Sequence, residues 1–446
     1  MEKIQAHGVS DISLNISNIL GTVFIIIIIV SLAITLFSRG IIQFRLRKNR
    51  ILMLAGMFFL SLILITILSK IPFNSTWLSF SIWFPLCSIA LVVSLLIGPN
   101  VGLIFSLIIS VTLLLVTKMN VNAFVFSLLT AVAGCVVSLK IRKRIDIIIA
   151  GLALSLYSSF VLLTIGFIYN FNIDELFLAL LWGVFNGFLY GGILSIGLLT
   201  LLEHILNAAT RFRLLELSDL NAPTFKRMLN FAPGTYNHSI IVANLAEIAC
   251  TEIGANALLA RVGAYYHDIG KLDQPGYFIE NQTSDNVHDD LKPSLSVAVI
   301  KSHVKLGVEK AKELKLPQEV IDIIAQHHGK GLISYFYHRA MDENNNIKIS
   351  PDDFRYPGER PKSKEAAVVM LADIVEAASR TIKRPTVSKL EKLIWKIIMD
   401  KFTTDELSEC NLTLNELEII KNSFVRILTG HFHTRIEYPK MKENLR

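Results

Sequence analysis

The chain has 446 residues, of which 52% are hydrophobic and only 18% charged, with a mean hydropathy of +0.50. That is too apolar for a purely cytosolic enzyme, and too rich in Ile, Leu, Val and Phe for a disordered scaffold. Residues 1–202 hold 12 Lys+Arg against 5 Asp+Glu and residues 203–446 hold 32 against 32, so the net charge of +7 belongs entirely to the hydrophobic half; without an excess of cations in the hydrophilic half, binding of polymeric nucleic acid is disfavoured.

A helix needs about 20 residues at about 1.5 Å each to cross a bilayer core of about 30 Å. Seven apolar runs of roughly that length follow an N-terminal tail, residues 1–18: Ile19 to Phe37, Ile51 to Ser69, Trp77 to Ile97, Val101 to Thr117, Val121 to Leu139, Ile145 to Tyr169 and Leu176 to Leu202. Only Gly98, Pro99 and Asn100 separate the third from the fourth. The first run is followed by Arg39, Arg45, Arg47, Lys48 and Arg50 and the fifth by Lys140, Arg142, Lys143 and Arg144, whereas the N-terminal tail and the alternate loops hold only Lys3, Lys70 and Lys118. Basic loops stay on the cytoplasmic side, so the N-terminus reads as outside and everything beyond Leu202 as cytoplasmic. The runs contain essentially no ionisable residue, which counts against a transporter. Gly183, Gly187 and Gly191 recur every four residues in the last run and serve either packing within the bundle, the commoner use, or a homodimer seam.

Beyond Leu202 the apolar residues recur at helical intervals through 205–217, 235–250, 256–269, 294–314, 317–328, 363–382, 387–402 and 413–428, with no sustained strand-like alternation. The expectation is an all-α protein: a seven-helix membrane bundle over 19–202, a signalling helix or linker over 203–230 and an all-helical cytoplasmic domain over 231–446. The stretch 329–362 reads as the longest irregular region, placed to cover an active site. Cys87, Cys135, Cys250 and Cys410 show no C-x-x-C spacing and suggest neither disulfides nor a thiolate metal site.

The chemistry lies in an ordered set of His238, His267-Asp268, His303, His327-His328 and Asp373. Imidazole and carboxylate without thiolate suit Fe, Mn or similar divalent ions. His267-Asp268 ends an apolar helix just before Gly270, His327-His328 ends another before Gly329, and Asp373 falls in mid-helix, where a cation would relieve the cost of burying a carboxylate. Each piece alone is weak: His288-Asp289 repeats the letters on a polar loop, a lone histidine is usually a capping residue, and His-His before Gly also suits a helix C-terminus. Together, on successive amphipathic helices, they point to a metal centre. Lys271 offers a compact charge to a phosphate, or is a surface lysine after a turn; Arg380, two turns beyond Asp373, could reach a second phosphate or lie in solvent. His431 and His433 fit no ligand pattern.

The order H…HD…H…HH…D, together with Ala232-Pro-Gly-Thr-Tyr-Asn-His238-Ser, Ala264-Tyr-Tyr-His-Asp-Ile-Gly-Lys271, Pro293-Ser-Leu-Ser-Val and Asp353-Phe-Arg-Tyr-Pro-Gly358, resembles the bacterial seven-transmembrane HD phosphohydrolases from about residue 19 to the end. The resemblance implies hydrolysis of cyclic di-AMP to linear pApA at a di-iron or di-manganese centre. It assigns His238, His267, Asp268 and Asp373 to one ion and Asp268, His303, His327 and His328 to the other, with Asp268 bridging and Lys271 on a substrate phosphate. Long members carry a large extracellular domain after an extra N-terminal span; only about 18 residues precede the first run here, so the chain reads as a short form or an N-terminal truncation. Rivals are cyclic di-GMP hydrolysis, disfavoured because no Gly-Tyr-Pro follows His328, a mononucleotide phosphatase, and a membrane receptor that binds nucleotide without cleaving it.

Overall fold

The computed structural model describes residues 48–68, 83–117, 120–282, 286–343, 349–382 and 386–432. Among them the chain is helical, and the β-type pairing is confined to an isolated antiparallel bridge between Leu332 and Arg355. It divides into two compact units, Met1–Phe212 and Arg213–Arg446.

The first unit contains α1 (Lys48–Leu68), α2 (Leu86–Leu96), α3 (Pro99–Val116), α4 (Val121–Ser138), α5 (Arg144–Ile168), α6 (Ile173–Phe185) and α7 (Ser195–Leu206), with a π-helical segment, Asn186–Leu194, carrying α6 into α7. Among the described residues, five stretches are long and apolar enough to cross a membrane: Ile51–Leu68, Pro99–Val116, Val121–Ser138, Arg144–Ile168 and Ile173–Leu206. They answer to the second, fourth, fifth, sixth and seventh runs. The third is represented by the shorter α2, because residues 69–82 are outside the described set, as is the whole of the first run. Gly98 and Pro99, at the N-terminus of α3, make the short break between α2 and α3.

Along α5 burial is inverted relative to a helix of a water-soluble protein. In α5 the large side chains of Ile145, Ile149, Leu152, Leu156 and Phe160 face outward while Gly151, Ser155, Ser158 and Ser159 are buried. That is the pattern expected where lipid is the solvent: apolar bulk gains nothing by turning inward, and small residues let backbones approach. The glycine stripe meets α5 of the same chain. A Cβ at Gly187 would come within 2.0 Å of Ser155 N, and one at Gly183 within 2.3 Å of Ser159 Cα. Ser155 Oγ also donates to Val184 O at 3.1 Å and Ser159 Oγ to Leu180 O at 3.2 Å. The stripe therefore packs within the bundle.

The second unit opens with α8 (Arg211–Leu217) and α9 (Pro223–Phe231) and continues through α10 (Pro233–Glu252), α11 (Ala257–Tyr266), α12 (Pro293–Glu313), α13 (Gln318–Gln326), α14 (Ser334–Glu343), α15 (Lys364–Ser379), α16 (Val387–Thr403) and α17 (Leu414–Phe432). Every residue from Ala366 to Asp373 is buried, which marks α15 as the central helix. It packs on α10, α11, α13 and α16.

Two expectations need correction. The helical period through 205–217 is not one helix: α7 stops at Asn207, which takes a left-handed conformation (φ 46°), and α8 and α9 follow as separate pieces within 203–230, the expected signalling helix or linker. Asparagine tolerates that conformation better than most residues. The stretch 329–362 is not irregular throughout, since α14 lies within it; Phe336 and Ala340, one turn apart, pack with Val297 and Phe354.

Candidate metal centre

Five elements deliver the seven side chains. His238 comes from α10; His267 and Asp268 follow directly on α11; His303 lies in α12; His327 and His328 follow α13; and Asp373 lies in α15. Two glycines set the approach. A Cβ at Gly270 would lie 1.9 Å from His303 O and 2.5 Å from Gly307 N, so the turn after Asp268 can touch α12 only because no side chain is there. Gly329 has φ 54° and ends the turn after His328 in a conformation that suits glycine.

The side chains converge on the carboxylate of Asp268, which is 1% exposed. His267 Nε2 and His238 Nε2 lie 3.2 and 3.6 Å from Oδ2; His303 Nε2 and His327 Nε2 lie 3.4 and 3.8 Å from Oδ1. Asp373 reaches His238 Nε2 at 3.0 Å through Oδ1 and His328 Nδ1 at 3.6 Å through Oδ2. One potential ligand atom from each of Asp268, His303, His327 and His328 lies within 4.8 Å of the others, and the same holds for His238, His267 and Asp268, and for His267, His327 and Asp373.

Hydrogen-bond direction tests whether a cation belongs here. His267, His303 and His327 each direct Nδ1 to the carbonyl three residues earlier, Ala264, Ile300 and Ile324, at 2.7, 2.5 and 2.7 Å. A carbonyl only accepts, so Nδ1 carries the proton and Nε2 is left as a bare lone pair. His303 Nε2 nevertheless faces His327 Nε2 at 3.3 Å, and His267 Nε2 faces a carboxylate oxygen at 3.2 Å. His267 Nε2 and both oxygens of Asp268 have no hydrogen-bond partner, although Lys271 Nζ ion-pairs with Asp268 Oδ2 at 2.6 Å. Acceptors buried against acceptors repel, and a divalent ion between them removes the conflict. The donor set fits such ions.

Electrostatics agree for three of the histidines. Burial holds His303 down to about 4 and His327 to about 3 against the pull of Asp268, and drives His328 well below its usual range, so all three stay neutral as ligands must be. Burial would also lower His238, but its hydrogen bonds to Asp373 and Glu376 outweigh that and raise it to about 10. Burial would raise the Asp373 carboxyl; the hydrogen bond from His238 and the charges nearby hold it far below the usual range.

Lys271 is not a surface lysine. It is enclosed between Asp268 and Glu280, 2.8 Å from the latter, and lies over the Phe278 ring at 5.0 Å. Arg380 donates to Glu376, with Nε at 2.7 Å from Oε1, and remains partly exposed. Both line a cleft of about 940 Å³ together with His238, His303, His328 and Asp373. His288 is buried on a 3-10 turn, Val287–Asp290, bonds Tyr277 O at 2.7 Å and lines the same cleft, but stands outside the ligand groups. The side chain of His431, and His433 altogether, lie outside the described residues.

Sequence reading passed over three residues. Glu376 accepts from His238 Nδ1 at 2.6 Å, Glu280 holds Lys271, and Tyr356 stacks on His328 with ring centroids 4.2 Å apart. Glu376 carries a local signal, since it follows Asp373 by three residues on one helix and so shares its face. Tyr356 sits in the string Asp353 to Gly358; Glu280 has no local signal.

A helical unit with His, His-Asp and Asp gathered at one buried point is an HD domain, and the HD domain family matches residues 235–378. The family described as 7TM receptor with intracellular HD hydrolase matches residues 16–210. In chain order, residues 16–210 and 235–378 thus match the membrane part and the HD part of such multi-pass membrane HD proteins. It is 38% identical over 371 residues to the cyclic-di-AMP phosphodiesterase PgpH of Bacillus subtilis, a match covering 81% of this chain and 52% of that protein. It is likewise 38% identical over 365 residues to PgpH of Listeria monocytogenes, covering 81% and 50%. The chain thus spans about half the length of the curated relatives it matches. The crystal structure of the L. monocytogenes PgpH HD domain in complex with cyclic-di-AMP is 46% identical, with a TM-score of 0.46, covering 49% of this chain and all of that one.

Proposed function

We propose that the protein is a membrane-anchored, metal-dependent phosphodiesterase that opens cyclic di-AMP to linear pApA. One observation carries the reading: two groups of imidazoles meet on the two oxygens of a single buried carboxylate, Asp268. In this assignment His238, His267, Asp268 and Asp373 hold one ion and Asp268, His303, His327 and His328 the other, with iron or manganese suited to the imidazole and carboxylate donors. When bound, such a pair supplies a nucleophilic water near neutral pH and neutralises the charge of a phosphodiester. The choice of cyclic di-AMP follows the names of the relatives that are 38% identical over 81% of the chain, and a cleft of about 940 Å³ is ample for a cyclic dinucleotide.

The chain's own groups do the rest. Asp268 sets the separation of the two ligand groups. Lys271, held at the cleft wall by Glu280, presents its ammonium to a non-bridging phosphate oxygen. Tyr356 covers the face of His328 and Phe278 packs edge-on to His303, which keeps water from the imidazoles and strengthens the electrostatics inside. The membrane half is read as seven spans with the N-terminus outside and the HD unit in the cytoplasm, where a nucleotide messenger would be met.

The test is product chromatography after incubating the purified, manganese-loaded protein with cyclic di-AMP, cyclic di-GMP and dATP in parallel. The expected result is pApA from cyclic di-AMP, with turnover and metal lost together in Asp268→Ala. Hydrolysis of dATP alone would reject the reading, and binding of cyclic di-AMP without pApA would make the protein a receptor.

A further inference from the structure

We propose that Glu376 and Arg380 form a positioning relay for one of the two metal sites: Glu376 holds the Nδ1–H of His238, and Arg380 holds Glu376. The inference rests on the metal-centre reading above and adds an asymmetry to it. His267, His303 and His327 give Nδ1–H to neutral backbone carbonyls of their own turns. Among the described residues of the cluster, His238 alone gives its second ring nitrogen to a carboxylate outside the ligand set, at 2.6 Å. That carboxylate is 2% exposed, and its other oxygen takes Arg380 Nε at 2.7 Å and a terminal guanidinium nitrogen at 2.5 Å.

The spacing on α15 makes this possible. Asp373, a ligand candidate, and Glu376 are three residues apart on one face, and Arg380 lies one turn further along it. A carboxylate behind an imidazole fixes its tautomer and makes its free nitrogen a stronger donor than a carbonyl does. The ion shared by His238, His267, Asp268 and Asp373 therefore has an anionic support that the ion held by His303, His327 and His328 lacks. Arg380 in turn keeps Glu376 aimed, so it acts on the metal through Glu376 and not on substrate.

The experiment uses the full-length protein in detergent, stripped of metal and titrated with Mn2+ by calorimetry, followed by kcat and KM for cyclic di-AMP. Wild type is expected to bind two ions. Glu376→Gln keeps the shape and an acceptor for His238 but removes the charge; one of the two ions should bind roughly 10- to 100-fold more weakly while the other is unchanged. kcat should fall with KM preserved, and Glu376→Asp should recover part of the loss. Arg380→Gln should weaken the same ion to a lesser degree, again without a change in KM. Unchanged affinities in Glu376→Gln would overturn the relay, as would equal weakening of both ions together with a lowered Tm. A raised KM with intact metal affinity in Arg380→Gln would give that residue to the substrate and break the relay at its outer end. Fewer than two ions in the wild type would instead bring down the metal-centre reading, and the relay with it.

Discussion

His303 and His327 are enclosed by protein, and each spends its one ring proton on a carbonyl of its own turn. Their values of about 4 and about 3 lie below the roughly 6.5 of an unfolded histidine, because burial disfavours the imidazolium. The stability linked to them is therefore fully present above about pH 6.5 and is lost as pH falls toward those values. His238 has the opposite sign. Raised to about 10 by Asp373 and Glu376 against the effect of burial, its contribution is complete below about pH 6.5 and lost as pH rises through 10. Thermal unfolding of the metal-free protein between pH 4 and 10 should thus give a maximal Tm near pH 6.5 with a fall on both sides; a flat profile would contradict the burial of these rings. At this scale the ligand candidates were readable because histidine and aspartate are costly in the interior of amphipathic helices, and seven of them recur in order. Their supports were not: Glu280 reaches Lys271 only through the fold, and Tyr356 reaches His328 from a connection with no helical period.

The turn after Asp268 meets α12 with no room to spare. In Gly270→Ala the new methyl would fall on His303 O and Gly307 N, which are backbone atoms and cannot rotate aside. A cost of about 1–3 kcal/mol or more is expected, read as a lower Tm, with loss of metal because His303 is carried by the displaced segment; wild-type Tm and metal content in this variant would show that the contact is slack. Helix positions were largely legible from apolar spacing, and α10, α12, α13, α15 and α16 begin and end within a few residues of expectation. The failures have local causes. Between Glu203 and Phe212 the spacing continues while Asn207 turns left-handed, a conformational choice that hydrophobic periodicity does not record. α14 reads Ser-Tyr-Phe-Tyr-His-Arg-Ala-Met-Asp-Glu, too short and too aromatic for a clear period, and it is held by the packing of Phe336 and Ala340.

Across the whole chain, the excess of positive charge in the hydrophobic half argues for an orientation that labelling can check. Native Cys87, Cys135, Cys250 and Cys410 are all buried, so background reaction is low. With the proposed topology, a cysteine at exposed Arg142 should be protected from a membrane-impermeant thiol reagent in intact cells and one at exposed Asn170 should react; the reverse pattern would place the HD unit outside. The central claim is that seven side chains from separate helices hold two ions on one shared carboxylate. Anomalous diffraction at the manganese edge from crystals of the Mn2+-loaded protein measures it most directly. The account predicts two peaks flanking Asp268, one beside His238, His267 and Asp373 and one beside His303, His327 and His328. A single peak, or none within reach of Asp268, would contradict it.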